Sequence, residues 1–170
     1  FDNESGTGYR ECFSSAAAMV AAFYKKVKTD DEYNAIRVKY GDTTSVDAQI
    51  QTLRSLGLNA EFRKDGDSDL IELEIERGRP VLVGWLHHGD VLRGEAPHGG
   101  HWSVINGYAG KYSNDPEWIM QDPRGMPDMI RGGHKNASKG RNARVRQAEF
   151  YPRWSVDGPK TGWVILVDDL

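Results

Sequence analysis

The sequence predicts an α+β fold in which N-terminal helices pack on a mainly antiparallel sheet. Three observations point there. The first half carries helix signals, with capping residues followed by apolar positions at helical spacing. After Pro80 the pattern changes to short apolar runs bounded by Gly, Pro and Asp, which is how buried strands read. Helices first and strands afterwards suit helices set against a sheet rather than alternating βαβ units. The chain has 170 residues, enough for one compact domain with a real core, so residues 1–170 are read as a single domain.

The elements follow in order. Residues 1–9 are polar and contain glycine, which suggests an extended or looped lead-in. From Glu11 to Tyr24 the residues are good helix formers, with Met19/Phe23 and Val20/Tyr24 at helical spacing. The alanines of this stretch let a helix approach its neighbours closely. Thr29 followed by Asp30, Asp31 and Glu32 reads as a cap with acids in the first turn. Ser45 opens a third helix with Val46, Ile50, Leu53 and Leu56 on one face, stopped at Gly57. Residues 59–63 form a short strand candidate, and a helix follows from Ser68 to Gly78. Residues 81–87, 101–108, 117–121 and 162–167 read as strands. Residues 131–153 hold seven Lys/Arg against one acid, Glu149. They are expected to form a basic flap or loop over the cleft, with Arg141 and Arg144 as candidate substrate contacts.

Composition narrows the function. A net charge of −3 gives no global case for nucleic acid. No apolar run approaches membrane-spanning length. A single cysteine rules out an internal disulfide framework and leaves the compartment open. The chain starts at Phe1 rather than Met and is read as a processed, trimmed or internal fragment. No cofactor is expected. A zinc site using His98 and His101 is the metal alternative, but Gly99-Gly100 is poor ligand scaffolding and nothing completes a familiar spacing.

The chemistry centres on Cys12, which sits where a helix should begin. Unpaired N–H groups and the helix dipole favour a thiolate there. The same N–H groups, the Cys12 backbone among them, can face the oxygen of a tetrahedral intermediate. His101 begins one strand and Asp122 ends the next, so antiparallel pairing can set a carboxylate beside an imidazole. Cys12, His101 and Asp122 are then nucleophile, base and orienter. Asn3 is a candidate oxyanion partner, with a simple turn as its alternative role. Trp102 and His87 are candidate substrate contacts near the cleft.

The ordered set of Asp2-Asn3, residues 11–19, residues 78–85, residues 99–108 and residues 121–125 resembles the papain-like cysteine peptidases related to bacteriocin (double-glycine) leader peptidases. Within that group it is most similar to phage-encoded members that degrade cell walls. The resemblance implies a papain-like fold and the Cys12–His101–Asp122 set. It also implies hydrolysis of amide bonds in bacterial peptidoglycan peptides by an endolysin or virion-borne lysin. Such a protein would reside in the host cytoplasm or virion and act in the periplasm or wall. The family pattern places a glutamine before the cysteine, and none precedes Cys12 here. Either Asn3 substitutes or the glutamine lies upstream of Phe1. Phe13 replaces a commonly small residue and is expected to narrow the entrance. The other readings are a peptidase processing a leader peptide or virion protein, a transglutaminase-like acyl transferase, and a non-catalytic virion component on the same fold.

Overall fold

The computed structural model describes residues 11–169. Its frame is a six-stranded sheet in the order β1-β8-β2-β3-β4-β7. The strands are β1 (Asn59–Gly66), β2 (Val81–His88), β3 (His98–Ala109), β4 (Glu117–Gln121), β7 (Ala143–Arg146) and β8 (Gly162–Asp168). Every neighbouring pair is antiparallel. A small ribbon, β5 (Met126–Pro127) with β6 (His134–Asn136), lies outside the sheet. This is the expected mixed fold with a mainly antiparallel sheet.

Alternation along the central strands separates two cores. Leu82, Trp102, Val104, Ile165 and Val167 face one side, where α1 (Cys12–Phe23), α2 (Asp30–Arg37) and α3 (Val46–Ser55) pack. Val81, Val83, Trp85, Ile105 and Val164 face the other, covered by α4 (Ser68–Glu76) and α5 (Gln147–Trp154). Helices therefore cover both faces, whereas the sequence placed helices mainly before the sheet. The caps form as their residues suggest. Thr29 accepts from the Glu32 N–H, Ser45 from Ala48 and Asp67 from Leu70. In α1, Ala16, Ala17, Ala18 and Ala21 are fully buried, so the helix lies close against its neighbours.

The stretch 131–153, expected as a basic flap or loop, carries β6, β7 and α5. Ala143 and Val145 point into the core while Arg144 and Arg146 face solvent. This period-2 alternation is a strand signal masked by the high count of basic residues. Arg144 pairs with Glu117, and Arg146 with Asp115 and Glu149.

At its far end β2 leaves β8, because the pairing of the two stops at Gly84–Trp163. Arg153, 1% exposed, covers the freed edge. Its guanidinium donates to the carbonyls of Leu86 and His88 on β2, and to those of Gly89 and Met129. Four acceptors, the carbonyls of Gly89 and Met129 buried and those of Leu86 and His88 part-buried, are thus served by one side chain. Arg153→Met is expected to lower unfolding stability by about 3 kcal/mol or more, since each orphaned carbonyl costs about 1–3 kcal/mol. Urea unfolding measures this, and a loss below about 1 kcal/mol would mean that water reaches these carbonyls instead.

Candidate active site

The site lies where the start of α1 meets the leading half of β3. Cys12 is the first residue of α1, so its N–H has no acceptor within the helix. Glu11 places no side-chain cap over this end, and the first turn carries no acid. Phe13 is 2% exposed and stacks on Trp102, with ring centroids 4.1 Å apart and planes 5° apart. Phe13 follows Cys12 and Trp102 follows His101, so the stack brings the thiol to the imidazole. Phe13 therefore belongs to the core and does not narrow an entrance. The stack depends in turn on Gly84, which pairs with Trp102 across β2 and β3. A Cβ at Gly84 would come within 2.8 Å of the Trp102 ring.

Sheet register delivers the carboxylate. Val104 pairs with Gln121, so Asp122, one residue on, lies beside Ser103. His101 and Ser103 share a face of β3. Asp122 Oδ2 accepts from His101 Nε2 at 2.8 Å and from the Ser103 hydroxyl at 2.7 Å. Trp85 Nε1 donates to Ser103 Oγ at 3.0 Å, which fixes that hydroxyl. Oδ1 accepts from the Arg124 N–H at 2.8 Å and from His134 Nε2 at 3.0 Å. His101 lies inside β3 rather than at its start, because the strand runs from His98.

The electrostatics follow from this arrangement. Burial acts to raise the Asp122 carboxyl pKa, but His101, by charge and hydrogen bond, and His134 overcome it and hold it well below the usual range. Burial would lower the His101 imidazole; the Asp122 carboxylate and Cys12 reverse this and raise it to about 9. Burial pushes the Cys12 thiol up, yet the hydrogen bond and charge of His101, the Trp102 backbone and the Arg124 charge bring it below its ordinary value. His101 Nε2 is engaged by Asp122, and the buried Nδ1 has no partner of strict geometry among the described residues. Nδ1 is thus the nitrogen left for the thiol. Together these shifts favour a thiolate–imidazolium pair.

The remaining expected residues sit as follows. His87 is 4% exposed and stacks on His101 at 4.6 Å and 11°. Burial, reinforced by the neighbouring imidazoles, lowers its pKa to about 2, so it is neutral. Trp102 is 8% exposed and walls a cavity of about 150 Å³ beside His101, together with Gly84, Trp85, Trp154 and Trp163. Arg141 is exposed ahead of β7, and Arg144 pairs with Glu117 at 3.0 Å, so neither joins the cluster. Asn3 lies outside the described residues. A larger cavity of about 600 Å³ opens between α4, β1 and β8, and neither Cys12 nor any histidine lines it. Ring nitrogens of His87, His101 and His134 come within 4.8 Å of one another. The parallel rings of His87 and His101 aim their in-plane lone pairs alongside each other, and Asp122 takes Nε2 of His101 and His134. His101 and His134 thus each commit a ring nitrogen to Asp122, and His87 only stacks on His101, an arrangement that suits a shared ion poorly. Ser103 and His134 were missed from sequence. Ser103 stands two residues from His101 on the same strand face and could have been found; His134 carries no such pattern.

A model of the family described as papain-like cysteine protease AvrRpt2 matches residues 4–132. The chain belongs to the papain-like cysteine protease AvrRpt2 family. No curated protein sequence matches it. Solved structures show the same fold for this papain-like protease. The peptidase domain of Streptococcus ComA, a bi-functional ABC transporter involved in quorum sensing, aligns with TM-score 0.59 and 18% identity over 95% of this chain and 93% of that one. A double-glycine motif protease from an AMS/PCAT transporter, in complex with its leader peptide, aligns with TM-score 0.56 and 18% identity over 100% of this chain and 90% of that one.

A lowered thiol pKa makes a direct prediction. The thiolate fraction rises with pH, so the alkylation curve of folded Cys12 with iodoacetamide should lie at lower pH than that of the urea-unfolded chain, whose midpoint is about 8.5. Above the His101 value of about 9 the imidazolium is lost, so peptide hydrolysis should decline there while alkylation persists. Mass spectrometry of the alkylated protein checks the first point, and coincident curves would refute it.

Proposed function

We propose that this protein is a cysteine peptidase in which Cys12 is the nucleophile, His101 the general acid and base, and Asp122 the orienting carboxylate. The observation that carries this reading is the buried His101–Asp122 pair set against a thiol at the start of α1. In this reading residues 1–170 act as a single peptidase domain. The Cys12 thiolate attacks the substrate carbonyl carbon, and the carbonyl oxygen, now negative, is met by the N–H of Cys12 at the helix start. The His101 imidazolium gives its Nδ1 proton to the departing amine as the C–N bond breaks, leaving a thioester. Neutral His101 then takes a proton from water, the hydroxyl adds to the thioester, and collapse releases the acid and restores the thiolate. Asp122 stabilises the imidazolium through Nε2–H throughout.

A peptide or protein chain is the favoured substrate. Membership of a cysteine protease family supports it, as does the shared fold with a protease solved together with its leader peptide. Hydrolysis of peptidoglycan stem peptides by a phage lysin rests on the sequence resemblance alone, so purified sacculi form the second arm of the test. Wild type and Cys12→Ala are incubated with a proteome-derived peptide library and with sacculi, and new termini are read by mass spectrometry. Wild type should create new amine and carboxyl ends in the library. Cys12→Ala should lose about 10³-fold or more of this activity, and Asp122→Asn about 10²–10⁴-fold. Equal cleavage by wild type and Cys12→Ala would discard the proposal; release confined to sacculi would move the substrate to the cell wall.

A further inference from the structure

Asp122 has more partners than its place beside His101 requires. While Oδ2 serves His101 and Ser103, Oδ1 accepts from the Arg124 N–H and from His134 Nε2. One carboxylate thus joins two imidazoles, one on each oxygen. His134 belongs to β6, beyond the residues that the family model matches. Its ring also stands edge-on to His101, with centroids 4.9 Å and planes 72° apart. The backbone around it is tied to the same place. The Gly133 N–H donates to the His87 carbonyl, and the Gly140 carbonyl accepts from the Asp122 N–H. His134 itself is held opposite Pro127 in the β5–β6 ribbon.

We propose that His134 is a positioning residue, which holds Oδ1 of Asp122 so that Oδ2 stays directed at Nε2 of His101. This rests on the catalytic reading of Cys12, His101 and Asp122. The physical reason is the freedom of an Asp side chain about its last torsion, which has broad, shallow minima. The Arg124 N–H alone gives Oδ1 a single pivot. A second donor from another element fixes the plane of the carboxylate. Without it the Oδ2···Nε2 contact loosens, the imidazolium is less stabilised, and the thiolate of Cys12 loses its partner. His134 therefore acts through Asp122.

The groups facing the pair can be named. Asp122 and Arg124 come from the loop after β4, His134 from β6, and His87 and His88 from β2; Glu11 adjoins Cys12 in the chain. His87 is lowered to about 2, by burial first and by the neighbouring imidazoles after that, so it is neutral; His88 is lowered as well, by burial first, then by the charges of His98 and Arg124.

The test is the pH dependence of Cys12 alkylation by iodoacetamide on the whole chain. It needs no knowledge of the substrate. His134→Phe keeps a ring and removes the donor. His134→Asn stops short of Oδ1. His134→Gln places an amide N–H close to where Nε2–H lies. Asp122→Asn is the reference. The midpoint should rise by about one pH unit in Asp122→Asn, His134→Phe and His134→Asn, and should return to the wild-type position in His134→Gln. A merely structural role would lower the urea midpoint of the Phe and Asn variants without moving alkylation of the folded protein. The Asn variant keeps polarity at this partly exposed position and carries the comparison if the Phe variant does not fold. Should Asp122→Asn move the midpoint while the His134 variants do not, the proposal is overturned and the triad stands. An unmoved midpoint in Asp122→Asn would remove the triad reading and the role of His134 with it.

Discussion

A carboxylate buried at Asp122 constrains the elements around it. An isolated charge away from water costs several kcal/mol, and the penalty is met only if donors surround it. Here four donors do so: the His101 imidazole and Ser103 hydroxyl of β3, the Arg124 N–H of the following turn, and the His134 imidazole of β6. The register of β3 on β4 brings the first two, and the turn after β4 brings the third. The return of the chain through β5 and β6 brings the fourth. Together they lower the Asp122 pKa, and the Asp122 carboxylate in turn raises that of His101.

The thiol is carried to this group by packing in the apolar core. Cys12 and His101 are far apart in the chain and come together because their neighbours, Phe13 and Trp102, lie face to face in the core. That contact needs Gly84 to be small, so that the Trp102 ring can lie across β2. The buried alanines of α1 then let the helix settle against its neighbours. The polar and apolar halves of the site are thus separate devices. Hydrogen bonds orient His101 through Asp122, and aromatic stacking sets the distance to Cys12.

Much of this could be read from the sequence. A lone cysteine at a helix start, a histidine on one strand and an aspartate closing the next are local patterns, and the structure brings all three together. The main strands were legible because apolar runs between Gly, Pro and Asp are strong signals. Three features were not. Phe13 looked like an obstruction because its partner, Trp102, is remote in sequence. The β7 strand was hidden by the charge of Arg144 and Arg146 on its outer face. His134 gave no signal, since its value comes from a chain reversal that brings it onto Asp122. Long-range contacts made by single side chains leave no period for a sequence to display.

The central claim is that Cys12 and His101 form an ion pair stabilised by Asp122, and its most direct test is the titration of the His101 ring. The chain would be labelled with ¹³C,¹⁵N-histidine, the ring resonances followed from pH 5 to 11, and His101 assigned with His101→Gln. The account predicts that His101 stays protonated up to about 9 in the wild type, and that its midpoint falls in Cys12→Ala, where the thiolate is gone. A His101 midpoint near the ordinary value of about 6.5, the same with and without the thiol, would contradict it.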